Sequence, residues 1–400
     1  VRRTDAAVLN DAASAVAPAG PRRAVAHGFA AVLPHAMMCR MAQPPPEQAP
    51  DFPGRLRFLQ SAAARRRDGA GSARIETIET HMSWVFLSAG EVLKLKKAVR
   101  YPYLDFSTLA AREAACREEL RINARLAPDV YLGLCALHWD GRRLSVRDEA
   151  DLPASGEVLE WLVRMRRLPG ADMLDARIAD RRVGAAEIDA LADVLVAFYK
   201  RATRVPLDAA AYLAHFAREQ ALNREVLGHP AVALPQGRGV LDRLDRVLQR
   251  HGAAIGARAT AGCIVDGHGD LRPEHVCLLS PPVVIDALEF NAGLRQVDPL
   301  DEIGYLGLEC ELAGAAWIGP RLAARCQAVL EPAAPPAITV VALAYRAYRA
   351  VLRARLSAAH LLDPHPREAG RWRPLAQRYL RAAVEALDAV EGGGGSVARP

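Results

Sequence analysis

No stretch of the 400-residue chain reaches about 18 consecutive apolar residues, the length a helix needs to span a bilayer. No basic run is interleaved with aromatics. The net charge of +6 is spread as arginine through helical stretches and does not point to nucleic acid. Seven cysteines form neither a C-x-x-C pair nor a zinc spacing. Most sit in apolar surroundings, as the small core residues of a protein in a reducing cytoplasm do. A phosphate-binding G-x-x-x-x-G-K-[ST] loop is missing, and so is any internal repeat. What is present suffices for a sizeable core: 51% of residues are hydrophobic and 24% charged. The length suits one large domain or two moderate ones.

The chemistry concentrates in one stretch, Val265-Asp-Gly-His-Gly-Asp-Leu-Arg-Pro-Glu-His-Val276, followed by Val283-Val-Ile-Asp-Ala-Leu-Glu-Phe290. Asp270 sits in a polar turn after a His-Gly pair. Two apolar runs, Val276 to Leu279 and Val283 to Ile285, flank a Ser-Pro-Pro turn and read as a short hairpin. Asp286 ends its second strand. Two carboxylates offered this way can grip a hydroxyl proton and a hard divalent cation. Phosphoryl transfer asks for that pair, one acid to orient the nucleophile and one to hold the metal. Taken singly, each acid could equally cap a turn or end a strand.

The spacing His268-Gly269-Asp270, then His275, then Asp286 resembles the H-G-D-x-x-x-x-N…D signature of the aminoglycoside phosphotransferase family, a branch of the protein-kinase-like fold. Three runs, Ile78-Glu-Thr-His-Met-Ser-Trp-Val-Phe-Leu87, Leu104-Asp-Phe-Ser-Thr108 and Leu126-Ala-Pro-Asp-Val-Tyr131, are similar to a branch of that family whose substrates are uncharacterised. Some members of that branch carry a further ATP-binding domain. The resemblance covers about seven-tenths of the chain, from Ile75 to about Leu361. It implies an α+β fold of two lobes, a small antiparallel sheet and a large, mainly helical lobe. It also implies ATP, Mg²⁺ and a small hydroxyl-bearing acceptor, without fixing the acceptor as an aminoglycoside. His275 stands where the family has a metal-binding Asn. Carried over as a metal position, it would hold Mg²⁺ poorly, because Mg²⁺ prefers oxygen. It would equally tie down the catalytic loop or only precede the strand from Val276 to Leu279.

The rest of the chain is read in order. Residues 1–50, rich in Ala and Pro and ending near Gln43-Pro-Pro-Pro-Glu47, read as a disordered leader. The apolar patch from Ala24 to Met38 has no small-residue cleavage pattern, which argues against a signal peptide. Met37, Met38 and Met41 leave the translation start open. A helix is expected over 55–67 and a linker over 69–72. A strand meander follows, rich in aromatic and β-branched residues: 75–80, 84–87 and 92–96. Its loop Thr80-His81-Met82-Ser83 lacks glycine, so backbone N–H groups and the Thr80 or Ser83 hydroxyl would have to meet phosphate. Lys94 and Lys96 alternate onto one face of the third strand. Lys94, which shares that face with Val92, is the expected phosphate lysine and Lys96 the alternative.

A helix is expected over 108–126, with Glu119 as the lysine's partner and Glu118 or Glu113 as alternatives. A bland surface pair, Glu113–Arg117, is the competing use of these acids. Strands are expected over 130–137, 143–146 and 158–163. By analogy with kinases, Glu160 and Leu162 are placed as backbone contacts of the adenine. The small, nucleotide-binding lobe is thus set at 51–163 and the catalytic helical lobe at 164–390, before a disordered tail at 391–400. Helices are expected over 185–201, 209–227, 239–251, 345–361 and 374–390. Asp298 and Glu302 match a family pair of acids, the second implied to hold the catalytic loop from behind. The function implied is a cytoplasmic, ATP-dependent phosphotransferase acting on a small-molecule hydroxyl. No membrane and no nucleic acid enter. The alternative is a non-catalytic nucleotide-binding regulator on the same fold.

Overall fold

The computed structural model describes residues 48–61, 64, 75–101, 104–331, 337–363 and 368–393. The leader expected over 1–50 falls outside them except for its last three residues. So do the linker at 69–72, the tail beyond Gly393 and Cys39. The first helix, α1 (Phe52–Leu59), starts three residues earlier than expected. Asp51 caps it by accepting from the Gly54 N–H, and a proline stands in its first turn.

Six strands form one antiparallel sheet in the order β1-β2-β3-β8-β6-β7. They are β1 (Glu76–Glu79), β2 (Ser83–Leu87), β3 (Glu91–Lys96), β6 (Tyr131–Trp139), β7 (Leu144–Asp148) and β8 (Glu157–Arg166). Two-residue strands β4 (Arg100–Tyr101) and β5 (Leu104–Asp105) pair beside them. Helix α2 (Leu109–Asn123) lies on one face of the sheet and α1 on the other. Alternation along β3 decides which residue meets which helix. Leu93 and Leu95 turn toward α1, whereas Val92, Lys94 and Lys96 turn toward α2.

The second lobe is helical. Helices α3 (Leu174–Ala179), α4 (Ala185–Arg201), α5 (Ala209–Leu227) and α6 (Gly237–Thr260) precede the acidic stretch. That stretch holds two small antiparallel pairs. One is β9 (Val265–Asp266) with β12 (Gln296–Val297), and the other is β10 (Val276–Cys277) with β11 (Val283–Val284). Helices α7 (Pro299–Leu312), α8 (Ile318–Leu330), α9 (Ile338–Ala359) and α10 (Ala369–Gly393) complete it. One apolar core joins α5, α6, α9 and α10, and a second joins α4, α7 and α8 under the acidic hairpin. The α+β, two-lobed architecture is the one expected. Among the described residues, no helix is long and apolar enough to cross a membrane, and all six cysteines are free.

The crossing between the lobes corrects one expectation. β8 does not stop at Val163 but continues through Met165 to Arg166, because Val163 and Met165 keep the alternating apolar pattern and Pro169 ends it. Leu162 therefore lies mid-strand, paired with Leu95 on one side and Cys135 on the other. Glu160 pairs with Leu137, and its buried carboxylate accepts from Arg112 Nε and Nη2 at 2.9 and 2.7 Å and from Arg55 at 3.1 Å. Neither reaches the cleft between the lobes; Met165 to Leu168 do. Glu160 is thus a structural acid that ties α2 and the α1 region to the sheet. Glu160→Ala leaves the Arg112 charge buried without its carboxylate. We expect a loss of about 3–5 kcal/mol in chemical denaturation, the range for breaking a buried pair. Nucleotide affinity of the folded fraction should stay within twofold of wild type, roughly the reproducibility of a K_d comparison.

Candidate active site

The β3 face that turns toward α2 carries two ammonium groups into a buried region, and one carboxylate meets both. Glu119 accepts from Lys94 Nζ on one oxygen at 2.8 Å and from Lys96 Nζ on the other at 2.7 Å. Lys94 also donates to Asp286 at 2.7 Å, and Lys96 also pairs with Glu289. Burial alone would draw the Lys94 ammonium down. The Asp286 and Glu119 carboxylates outweigh it, so its pKa stands well above the ordinary lysine value. Asp286 is held in the opposite direction, well below the carboxylate range. Burial would raise it, but Lys94 and then His275 more than compensate. Lys94 faces the cleft and Lys96 is sealed behind it. Glu118 and Glu113 point elsewhere, toward Arg121 and Arg117; the Glu113–Arg117 surface pair is present at 2.8 Å.

The cleft is about 280 Å³ in volume. Ile78, Val85, Val92, Met165 and Ile285 make its apolar wall, with Lys94 and Asp286 at its inner end. Thr80 and Ser83 lie at its edge. Thr80 Oγ1 accepts from the Ser83 N–H at 2.9 Å and donates to the Ser83 carbonyl at 3.0 Å, which closes the glycine-free turn from within.

Asp270 is positioned by a loop fixed on every side. Glu302, fully buried on α7, accepts from the His268 N–H at 3.1 Å and from the Gly269 N–H, and takes a further bond from Tyr199 at 2.8 Å. It holds the loop from behind, the place the resemblance implied for it. Glycine is required at 267, where a Cβ would come within 2.4 Å of Val297 and 2.8 Å of the Glu302 carboxylate. Gly269 adopts φ +89°, a left-handed value. His268 Nε2 donates to the Ile285 carbonyl at 2.9 Å, which leaves Nδ1 to accept the Asp270 N–H at 3.2 Å. One imidazole therefore links the segment bearing Asp270 to the segment bearing Asp286. His275 Nδ1 donates to the Asp270 carbonyl at 2.8 Å, and its Nε2 faces Asp286 Oδ2 at 3.7 Å.

Several residues escaped the sequence reading. Arg272 Nε lies 3.0 Å from Asp270 Oδ1, and Arg272 Nη1 lies 2.7 Å from Glu274. Its signal was available: two residues on in extended backbone is the same side of the chain. Tyr305 donates to Asp270 Oδ1 at 3.2 Å from α7. Asp286 itself sits at φ +65°, held there by two bonds. Its N–H donates to the Tyr131 hydroxyl at 3.0 Å, and the Ala287 N–H donates to Asn123 Oδ1 at 2.9 Å. Tyr131, Asn123 and Tyr305 lie far away in sequence and left no local signal.

A second cavity, of about 300 Å³, opens on the other side of Asp270. Asp270 and Leu288 line both. Its walls are largely apolar and aromatic, with Tyr212, Phe216, Leu222 and Tyr348 among them. Two ion pairs stand in it, Arg349–Asp301 and Arg355–Glu219, each at 2.6 Å. Burial holds the His215 imidazole down, to about 4, so it is neutral there.

A lone metal ion of the magnesium kind fits this donor set. Mg²⁺ is commonly held by one or two carboxylates together with substrate phosphates. Asp286 offers a carboxylate of which one oxygen meets Lys94 and the other faces an imidazole.

Comparison with known proteins gives the fold a wider setting. No family model matches the chain. An uncharacterised protein of Mycobacterium tuberculosis is 30% identical over 330 residues, as is one of Mycobacterium bovis. The match covers 80% of this chain and 63% of theirs, so the chain spans under two-thirds of the length of these relatives. A choline kinase from Cryptosporidium parvum superposes with a TM-score of 0.50 at 8% identity, covering 85% of this chain and 96% of that one. A choline/ethanolamine kinase family protein from Mesorhizobium loti gives 0.49 at 18%, covering 85% and 95%. The fold is protein-kinase-like, a small antiparallel lobe over a large helical one.

The Arg272 guanidinium leads to a pH prediction. Burial would raise the Asp270 carboxyl, but Arg272, then His275, hold it down, to about 2 against an ordinary 3.8. A folded-state value below the unfolded one gives stability that is full above the ordinary pKa and lost as pH falls toward 2. Arg272→Met removes the guanidinium. The Asp270 carboxyl NMR titration should then move to higher pH, and stability should fall less steeply between pH 4 and 2. An unmoved midpoint would mean that another group sets the Asp270 pKa.

Proposed function

We propose that the protein is an ATP-dependent phosphotransferase that moves the γ-phosphoryl group to a hydroxyl of a small molecule. The observation that carries this reading is the pair of cavities meeting at Asp270, one containing a lysine–carboxylate constellation and the other open for an acceptor. In phosphoryl transfer, catalysis is almost entirely positioning and charge neutralisation. Asp270, ionised and fixed by Arg272 and Tyr305, orients the acceptor hydroxyl and takes its proton late. Lys94, kept charged by Glu119, meets the phosphates. Asp286 would be the main protein ligand of Mg²⁺, which when bound would supply neutralisation of phosphate charge. His275 ties the loop at Asp270 rather than holding a second metal. The base rests against the apolar wall of the cleft, and Met165 to Leu168 take the hinge place first given to Glu160 and Leu162. Ser83 and Thr80 lie where the phosphate-covering loop belongs. In the acceptor cavity Asp301 and Glu219 are matched by arginines, while Glu225 and Asp270 also line it.

The test is ADP release by the purified protein across a panel of hydroxylated metabolites and antibiotics. Asp270→Asn serves as the reference. It should lower the rate by about 10²–10⁴, the usual contribution of a positioned acid–base group, and still bind nucleotide. Asp286→Ala should lose both turnover and the Mg²⁺-dependent part of nucleotide affinity in calorimetry. Turnover in no member of the panel, with nucleotide bound normally, would favour the regulator. Absence of nucleotide binding would remove both readings. Between the two lysines, Lys94→Ala should weaken Mg·ATP binding more than Lys96→Ala, because only Lys94 faces the cleft.

A further inference from the structure

The second lysine has no place in that scheme, yet it is the more deeply buried of the two. Lys96 is 1% exposed, with Phe106 beneath its ammonium at 5.1 Å from the ring centroid. A buried ammonium is costly unless paired on several sides. This one has Glu119 at 2.7 Å and Glu289. Glu289 lies three residues beyond Asp286 on the same segment. The five groups therefore form a chain that closes on itself through the backbone: Asp286, Lys94, Glu119, Lys96, Glu289.

The two ends of that chain are not equivalent. Asp286 Oδ1 is occupied by the Lys94 ammonium at 2.7 Å. A phosphate at Lys94 requires this contact to loosen, while the other Asp286 oxygen, 3.7 Å from His275 Nε2, stays turned away from Lys94. Lys96 itself does not reach the cleft, so the ammonium at this end of the chain meets no phosphate; Glu289 lies at the cleft wall with its carboxylate turned to Lys96. The segment also holds a non-glycine residue at φ +65°, a conformation that lasts only when its surroundings impose it.

We propose that Lys96 and Glu289 form a brace that keeps the Asp286 segment docked on α2 and β3 while Lys94 exchanges Asp286 for phosphate. Lys96 is then a positioning residue for metal loading. The inference rests on the phosphotransferase reading for its purpose, but the brace itself is a property of the free protein. Tyr131 and Asn123 anchor the segment at 286 and 287. The brace anchors it at 289, so that the metal-bearing residue is held from both sides.

The experiment uses the full chain with Glu289→Gln, Lys96→Met and the double variant Lys96→Met/Glu289→Met. The double variant guards against simple unfolding, since replacing both partners of a buried pair by apolar groups is often neutral in stability. Two quantities are read. In the free protein, the Asp286 and Ala287 amides should exchange hydrogen about tenfold faster in all three variants, at unchanged protection of the helical lobe, as local opening requires. In turnover, the Mg²⁺ half-saturation should rise about tenfold, the scale on which groups behind a metal ligand act, with kcat at saturating Mg²⁺ within about twofold. Unchanged exchange at 286 and 287 overturns the brace whatever the turnover result. So does a double variant that recovers wild-type exchange and Mg²⁺ dependence, since packing alone would then suffice. If the wild type binds no nucleotide, the phosphotransferase reading fails while the exchange measurement still decides the brace.

Discussion

Everything at the site depends on Glu119 having two oxygens and the sheet presenting two lysines to them. A strand places residues i and i+2 on one face. Lys94 and Lys96 therefore enter the same buried space, where like charges repel and desolvation opposes both. A single carboxylate cannot compensate two ammonium groups. Glu119 supplies one oxygen to each, and the segment that follows β11 supplies two more acids, Asp286 and Glu289. The cluster then carries three negative and two positive groups. Its one surplus negative charge is least enclosed at Asp286, whose side chain is 23% exposed against 0% for Glu119. That imbalance, opening at that residue, is what supports the proposed cation position at Asp286.

The other acid is organised by a different logic. The Asp270 carboxylate is kept ionised and held in place by its neighbours. Arg272 and Tyr305 fix its oxygens, while His268, His275 and Glu302 fix its backbone. The cluster of buried acids on α7 is the cost of this arrangement. Asp298 meets Arg258, Asp301 meets Arg349 and Glu309 meets Arg353. Each is buried with an arginine, so these three arginines act as counterions inside the helical lobe.

What the sequence made legible follows from how far each signal reaches. Asp270 and Asp286 lie within one stretch and are flanked by apolar runs, so their order and spacing carry meaning locally. Lys94 and Glu119 follow from period two on a strand and period 3.6 on a helix. Helices α4 and α5 match their expected limits because Ala and Leu periodicity is strong over many turns. Analogy with kinases places Glu160 and Leu162 at the adenine on a strand expected to end at Val163, and the strand runs on to Arg166. In the sheet, Arg164 is neutralised by Glu91 and Asp148, and the strand continues. Tyr131, Asn123 and Glu289 act through tertiary contacts between segments more than 20 residues apart, and no local pattern encodes such a meeting. Lys96 was weighed only as a rival of Lys94. The sheet gives both a role by burying one and exposing the other.

The histidine at 275 illustrates how one substitution can narrow a site's chemistry. An asparagine amide has a donor and an acceptor. It can give its N–H₂ to the Asp270 carbonyl and still turn an oxygen toward a metal. The imidazole gives its Nδ1–H to that carbonyl at 2.8 Å. What remains is Nε2, a nitrogen, 3.7 Å from Asp286 and 3.5 Å from Arg272. Hard Mg²⁺ discriminates against nitrogen, and the adjacent guanidinium discriminates against any cation. The loop-closing half of the asparagine's work is thus kept, and under the proposed function the metal-holding half would fall to Asp286 alone, so that the positioning two ligands would otherwise share would rest on its segment.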